Sequence, residues 1–338
     1  MKYLTDFETK AAYDAVKKDL PKPQVALTRD DYKVHFKPNK VGPEYDKEYF
    51  TIVAKEDGKV TFKYGVKKIP PTLNSTNSGL KNASLPFTSI SYSLNDGAWE
   101  TTEYNQQGGN TIEVSVSSGD KLRWKGINHT LATQLGGTSY FTSNCLVDVE
   151  GNIMSLLFDD EFIGETNLEG RDGAFAVLFC NMDNSDEILQ VVSAENLMLP
   201  ATTLASDCYS NMFHDCTSLT KAPTVLPATT LTEGCYYAMF ANCTSLTEAP
   251  QLLATTLASD CYGYMFFDCT SLNHIECLAT DISATNCTDN WVNGVAENGT
   301  FIRDENTLWL RGESGIPNGW DVEPPLLLPP PDADEPIY

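Results

Sequence analysis

The chain has no apolar run approaching the ~18 residues that a membrane-spanning helix needs, so membrane insertion is not expected. Its first residues, Met1-Lys2-Tyr3-Leu4-Thr5-Asp6-Phe7-Glu8, place acids where a signal peptide needs an unbroken apolar core, and no export signal is expected. Glycine-rich phosphate loops are missing. Histidine is scarce, with His35, His129, His214 and His274 far apart, and the one metal-like cluster, Cys208, His214 and Cys216, has a spacing that no zinc motif uses. Basic residues are lacking from most of the length. Residues 1–68 hold 15 of the 23 Lys+Arg and 11 of the 46 Asp+Glu, which leaves 8 bases against 35 acids beyond them. Such a body repels phosphate backbones and anionic membrane surfaces, so no nucleic-acid partner is expected.

What the chain has in abundance is itself. Leu199-Pro200-Ala201-Thr202-Thr203-Leu204 leads to Cys208-Tyr209, Met212-Phe213, Cys216-Thr217-Ser218-Leu219 and Ala222-Pro223, and the same words return from Leu226 and again from Ala254. Equivalent cysteines Cys208, Cys235 and Cys261 are 27 and then 26 residues apart. A fixed short period signals a stacked repeat, in which each unit shares its core with its neighbours. Seven of the ten cysteines, Cys208, Cys216, Cys235, Cys243, Cys261, Cys269 and Cys287, fall at equivalent positions. They read as a ladder of reduced thiols in a narrow core, since the thiol is small, apolar and readily buried.

The length allows two or three domains. Residues 1–44 read as an arm that orders against a partner, with a short helix from Asp6 carrying Phe7 and Val16, then extended pieces around Val25, Leu27, Tyr32 and Phe36; a helix folded back on its own domain is the alternative. From Tyr49 the period is two. Phe50, Ile52 and Ala54, the turn Glu56-Asp57-Gly58, then Val60, Phe62 and Tyr64 give a hairpin signal, and further alternation follows at Ile90–Leu94, Ile112–Val116 and Leu122–Trp124. Short strands with turns at this spacing predict a small β-sandwich over 45–135. Residues 136–198 form an N-terminal cap, and Gly173–Cys180 resembles a degraded copy of the Cys208–Phe213 segment. Repeats and a closing cap at Trp291 occupy 199–322. The tail, 323–338, is acidic and proline-rich, and an extended polyproline-like conformation is expected for it.

Within a repeat, Leu204, Cys208 and Met212 are four apart, which predicts a short helix with one apolar face. Asp215 or its equivalents Asn242 and Asp268 then turn the chain, Thr217–Thr220 supplies a strand, and Ala222-Pro223 ends it. The fold class expected is multidomain α+β: arm, Ig-like β-sandwich, and a leucine-rich-repeat solenoid with a parallel sheet face.

These words, with Asn290-Trp291-Val292-Asn293-Gly294-Val295, Gly315-Ile316-Pro317-Asn318-Gly319-Trp320 and the earlier Gly151-Asn152-Ile153-Met154-Ser155-Leu156-Leu157, resemble the BspA-like leucine-rich-repeat proteins of gut Bacteroidetes over about 136–322. The resemblance implies a surface-displayed adhesion module with no catalysis and no cofactor. Cellular members carry an export signal or lipoprotein cysteine near the start, which this chain lacks, and related repeats occur on virion proteins of phages infecting those bacteria. It therefore looks like a virion fibre or decoration protein, on the capsid or the tail, whose arm binds virion proteins and whose repeats bind host-surface or mucosal glycans or proteins. A homo-oligomer is implied, a trimer first. The alternative is a bacterial cell-surface adhesin whose export signal is missing.

Repetition also separates scaffold from surface. Positions equivalent to His214 are Ala241 and Phe267, so His214 reads as an exposed, freely varying residue, and no single cysteine stands out as a nucleophile. The run Asp159-Asp160-Glu161, near Asp172, could pair carboxylates or hold calcium but reads first as a solvated turn. The candidate binding face is where repeats differ: Lys221, Glu248 and His274 at one equivalent position, after Thr220, Thr247 and Asn273, with a second variable set that includes Tyr237 and Tyr264.

Overall fold

Alternation of apolar and polar residues from Phe50 onward does produce strands, but it selects a face and not a partner. The computed structural model describes residues 25–27, 34–36, 48–67, 89–103, 110–133, 137–180, 188–304 and 307–325. Most of the arm lies outside them, with Phe7, Val16 and Tyr32, as do 68–88 and the tail beyond 325. The described chain is mostly β. Its one α-helix, α1 (Ser155–Phe158), runs into a 3-10 turn, Asp159–Glu161. In the arm, β1 (Val25–Leu27) and β2 (Val34–Phe36) pair antiparallel, Val25 opposite Phe36.

Strands β3 (Phe50–Ala54) and β4 (Gly58–Lys67) flank the expected hairpin turn yet enter different sheets. The remaining strands up to the repeats are β5 (Ser89–Leu94), β6 (Glu100–Glu103), β7 (Asn110–Val116), β8 (Lys121–Lys125), β9 (Ala132–Thr133), β10 (Gly137–Ser143), β11 (Val147–Asn152) and β12 (Val191–Met198). They form a four-stranded sheet, β7-β4-β10-β9, and a six-stranded sheet, β12-β11-β3-β8-β5-β6. The Glu56-Asp57-Gly58 turn thus passes from one sheet to the other, and so does the turn between β7 and β8. Strands β5 and β6 do form a local hairpin, with Asn95 and Asp96 of its turn left-handed at φ 50° and 60°, and β9 pairs antiparallel with the next strand, β10. The inner faces meet on aromatic rings: Phe141, beside Phe62 of its own sheet at 4.6 Å, meets Trp124 and Phe50 of the other sheet at 5.0 and 5.4 Å, all fully buried. Strands β10 and β11, beyond residue 135, pair with β4 and β3 and complete both sheets.

The repeats contain no helix. Three left-handed residues stand four apart in each: Asp207, Asn211 and Asp215; Gly234, Ala238 and Asn242; Asp260, Tyr264 and Asp268; Asn286, Asn290 and Gly294. Each precedes a buried residue except Gly294, which precedes the half-buried Val295, and all but Ala238 and Tyr264 are Asn, Asp or Gly, the residues for which this conformation costs least. Backbone donors alternate in consequence. Ser210, Met212, His214 and Cys216 donate to carbonyls three residues back, whereas Tyr209, Asn211, Phe213 and Asp215 donate to Cys235, Tyr237, Met239 and Ala241 of the next repeat at 2.8–2.9 Å. A helix would need every one of those donors for its own i−4 carbonyls. The spacing of four is therefore that of a four-residue turn. Gly234 replaces Asp at its position because a Cβ there would run into the Asp207 carboxylate.

The strand expected at Thr217–Thr220 lies a few residues later. A five-stranded parallel sheet joins β13 (Val225–Leu226), β14 (Gln251–Leu252), β15 (His274–Cys277), β16 (Thr300–Arg303) and β17 (Asp321–Glu323) in order. Thr217–Leu219 instead closes the last turn, Leu219 N–H donating to Cys216 C=O. Strand β12 is parallel to β11 on one side and bridges Lys221 on the other, Ser193 opposite Lys221, so one hydrophobic core runs from Phe50 to Trp320.

Inside the repeats two columns of rings stack at 4.9–6.2 Å: Phe175, Tyr209, Tyr236, Tyr262 and Phe179, Phe213, Phe240, Phe266, both ending on Trp291. Phe175 and Phe179 come from the degraded copy, whose Gly173 and Val177 are also left-handed. Trp291 does not end the chain's packing, for Trp309 stacks on it at 5.5 Å and one further strand follows. All ten cysteines are free and buried. Cys243 and Cys269 donate their thiols to the Phe213 and Phe240 carbonyls at 3.1 and 3.0 Å, one repeat back.

Asn242 is held left-handed at φ 63° and its Nδ2 donates to Asp215 Oδ1 at 2.7 Å. Asn242→Val adds a β-branched clash to the lost bond and is expected to destabilise by about 2–3 kcal/mol, whereas Asn242→Gly should cost under about 1 kcal/mol. Urea unfolding of both variants checks this; equal losses would remove the left-handed turn as the controlling constraint.

Candidate binding groove on the parallel sheet

Parallel strands place equivalent residues side by side, and β15 alternates half-buried His274 and Glu276 with buried Ile275 and Cys277. Its outer residues continue sideways: Glu248 bridges His274, and Gln251 Nε2 donates to Glu276 Oε2 at 2.9 Å. The outer surface of these strands encloses a cavity of about 550 Å³. Thr220, Lys221, Thr247, Glu248 and His274 line it. Asn273, beside them in sequence and exposed, is not in the lining, and its N–H is spent on the Thr247 carbonyl at 3.0 Å. Tyr237 and Tyr264 belong to the turn segments and pack on each other at 5.7 Å, apart from the lining. Burial, then Tyr264, Asp260, Asp289 and Asp207, push the Tyr237 phenol up to about 12.

Sequence reasoning missed Glu195, Thr224, Gln251 and Glu276, which also line the groove. The displaced strand put the last three outside the expected face, and Glu195 lies on β12 in what reads as the cap. Glu195 Oε2 accepts from Lys221 Nζ at 2.7 Å, and that hydrogen bond raises the Lys221 ammonium above its ordinary value. Both groups are exposed, so the pair orients more than it stabilises.

The carboxylate run is a clamp. Asp159 and Asp160 place Oδ1 atoms 3.0 and 2.7 Å from Lys125 Nζ on β8, and the Tyr49 hydroxyl donates to Asp160 Oδ1 at 2.7 Å. Lys125 and Tyr49 hold the Asp160 carboxyl below the usual range, opposite to what a general acid requires. Glu161 is exposed. His214 is half-buried rather than exposed, with Nδ1 3.0 Å from Asp215 Oδ2. Among the described residues no three His, Cys, Asp or Glu side chains come together as a metal site, and no helix is long and apolar enough to cross a membrane.

Compared with family models, curated proteins and solved structures, the chain matches none.

Two outcomes follow from these environments. Burial, then Glu233, Asp172 and Asp260, raise the Asp207 carboxyl to about 6. Unfolded, it titrates near 3.9, so the native state takes up a proton first as pH falls, and stability gains between about pH 6 and 4. Asp207→Asn, which tolerates the same backbone, should be more stable than the parent by about 2 kcal/mol at pH 8 and equal to it at pH 4 in thermal unfolding. Second, burial raises every ladder thiol, Cys208 to about 12, so iodoacetamide at pH 8 should leave Cys208, Cys216, Cys235 and Cys243 unmodified until the protein is unfolded, as read by mass spectrometry.

Proposed function

We propose that the chain is a non-enzymatic display protein. In this reading a leucine-rich-repeat solenoid, carried on an Ig-like β-sandwich and attached by its N-terminal arm to the capsid or tail of a virion, adheres to a glycan or protein of the host surface or mucosa. One observation carries the adhesion part: Lys221, Glu248 and His274, the position at which the repeats differ, line a single cavity together with their neighbours Thr220 and Thr247. Stacking sets equivalent positions side by side, and here the row they form lies in a concavity and differs in charge from repeat to repeat. The all-parallel sheet β13–β17 and the 26- and 27-residue step support a solenoid, whose sheet face is a common binding surface. Two sheets meeting on Phe62, Trp124 and Phe141 support the sandwich. Virion attachment rests on the resemblance. An open groove with one exposed ion pair, Lys221 with Glu195, suits weak single contacts, and many copies on one particle convert these into firm adhesion.

Mass spectrometry of purified virions should find this chain, and its absence there would end the attachment reading. Beads coated with the protein should adhere to host cells, and a Lys221→Ala, Glu248→Ala, His274→Ala triple variant should reduce adherence at least tenfold with unchanged thermal unfolding. Undiminished adherence would remove the groove as the binding surface.

A further inference from the structure

We infer that the leucine run of this chain's own tail, Leu326, Leu327 and Leu328, packs over Leu308 and Leu310 and closes the far end of the repeats. Those two leucines are the most exposed large apolar side chains among the described residues, at 92% and 80%, ahead of Ile127 at 57%. They are also held in place. Thr307 and Trp309, which alternate with them, are buried, and both donate to the Ala279 carbonyl, Thr307 Oγ1 at 3.2 Å and Trp309 Nε1 at 3.4 Å. Trp309 stacks on Trp291 at 5.5 Å, so the leucines that alternate with it face away from the aromatic columns. The last unit of a stacked array needs a polar outer face to stay soluble. Here that unit presents leucine.

The path of the chain names the cover. Strand β17 runs parallel to β16 with Ile302 opposite Glu323, and two more residues in that register set Pro325 level with Asp304. Leu308 lies four residues beyond Asp304, at most about 14 Å of extended chain. Directly after Pro325 come Leu326, Leu327 and Leu328, outside the described residues and the one run of three leucines in the sequence. They are within reach. Prolines on both sides, Pro324-Pro325 and Pro329-Pro330-Pro331, restrict the backbone around the leucines, which lowers the entropy lost on docking. Arg311, exposed beside Leu310, is one of only 8 bases beyond residue 68, and the tail brings Asp332, Asp334 and Glu335 just past its prolines. A tether of a few residues also sets the local concentration of the segment at about the millimolar level, which a second copy in dilute solution does not match.

Hydrogen-exchange mass spectrometry of the full chain and of a chain ending at Pro325 tests this. Truncation should speed exchange of amides 307–311 about tenfold and lower the thermal unfolding midpoint by about 3 °C. The full-length Leu326→Ser, Leu327→Ser, Leu328→Ser variant should behave like the truncated chain. Leu308→Ser with Leu310→Ser should lower the midpoint of the full chain but leave that of the truncated chain within about 1 °C, because the partner is already gone. A peptide of residues 323–338 at about 1 mM should restore slow exchange to the truncated chain. Unchanged exchange and midpoint on truncation would overturn the inference, as would a loss on Leu308→Ser with Leu310→Ser that is equally large in the truncated chain. Protection of 307–311 that rises with protein concentration from about 1 to 100 µM would overturn it too, by assigning the leucines to a second copy.

Discussion

A left-handed residue at every fourth position is the constraint on which the repeats depend. It interrupts the helix that the apolar spacing would otherwise build, and it turns alternate N–H groups out toward the next repeat. Half the turn donors of any one unit are therefore satisfied only by a neighbour. An isolated repeat would expose them along with one face of its aromatic column, so the folded state of a single unit has little to offset its lost chain entropy. The two ends show the same logic. Phe175 and Phe179 lead the columns from within the sheet region, and Trp291, covered by Trp309, spans both columns at the far end.

This constraint also explains what could be read from sequence. The buried set was legible: cysteines, Met-Phe pairs and tyrosines recur because each must meet its own equivalent one repeat away. The helix was not, because over three turns a period of four and one of 3.6 differ by about one residue. The discriminating signal was present in Asp207, Asn211 and Asp215, each standing just before a buried residue, a pattern that suits left-handed turns and no helix. In the β region, alternation assigned Phe50 and Phe62 correctly to an interior. It could not say that Glu56-Asp57-Gly58 crosses between sheets, since partner choice depends on β10 and β11, which arrive some eighty residues later.

The groove divides along the same line. Lys221, Glu248 and His274 were found because repeats differ there, and variation among copies needs no knowledge of strand position. Glu276 and Gln251 required the true strand register, and Glu195 required knowing that β12 is the first neighbour of the repeat sheet, which its sequence does not advertise because it lacks the cysteine and Met-Phe words.

That last residue ties the groove to the rest of the molecule. Glu195 sits on β12, which is paired to β11 in the six-stranded sheet, and its carboxylate holds Lys221 of the first repeat. The groove therefore has one wall from each part, joined by backbone hydrogen bonds from Thr220 and Ala194 across the boundary and by the continuous core beneath. A hinge there would have to break those bonds and expose buried apolar area, costs that a flexible linker would never meet. A force applied to the groove would pass through parallel strand pairing into the six-stranded sheet, and the groove keeps its shape because its two walls cannot separate without unfolding the junction.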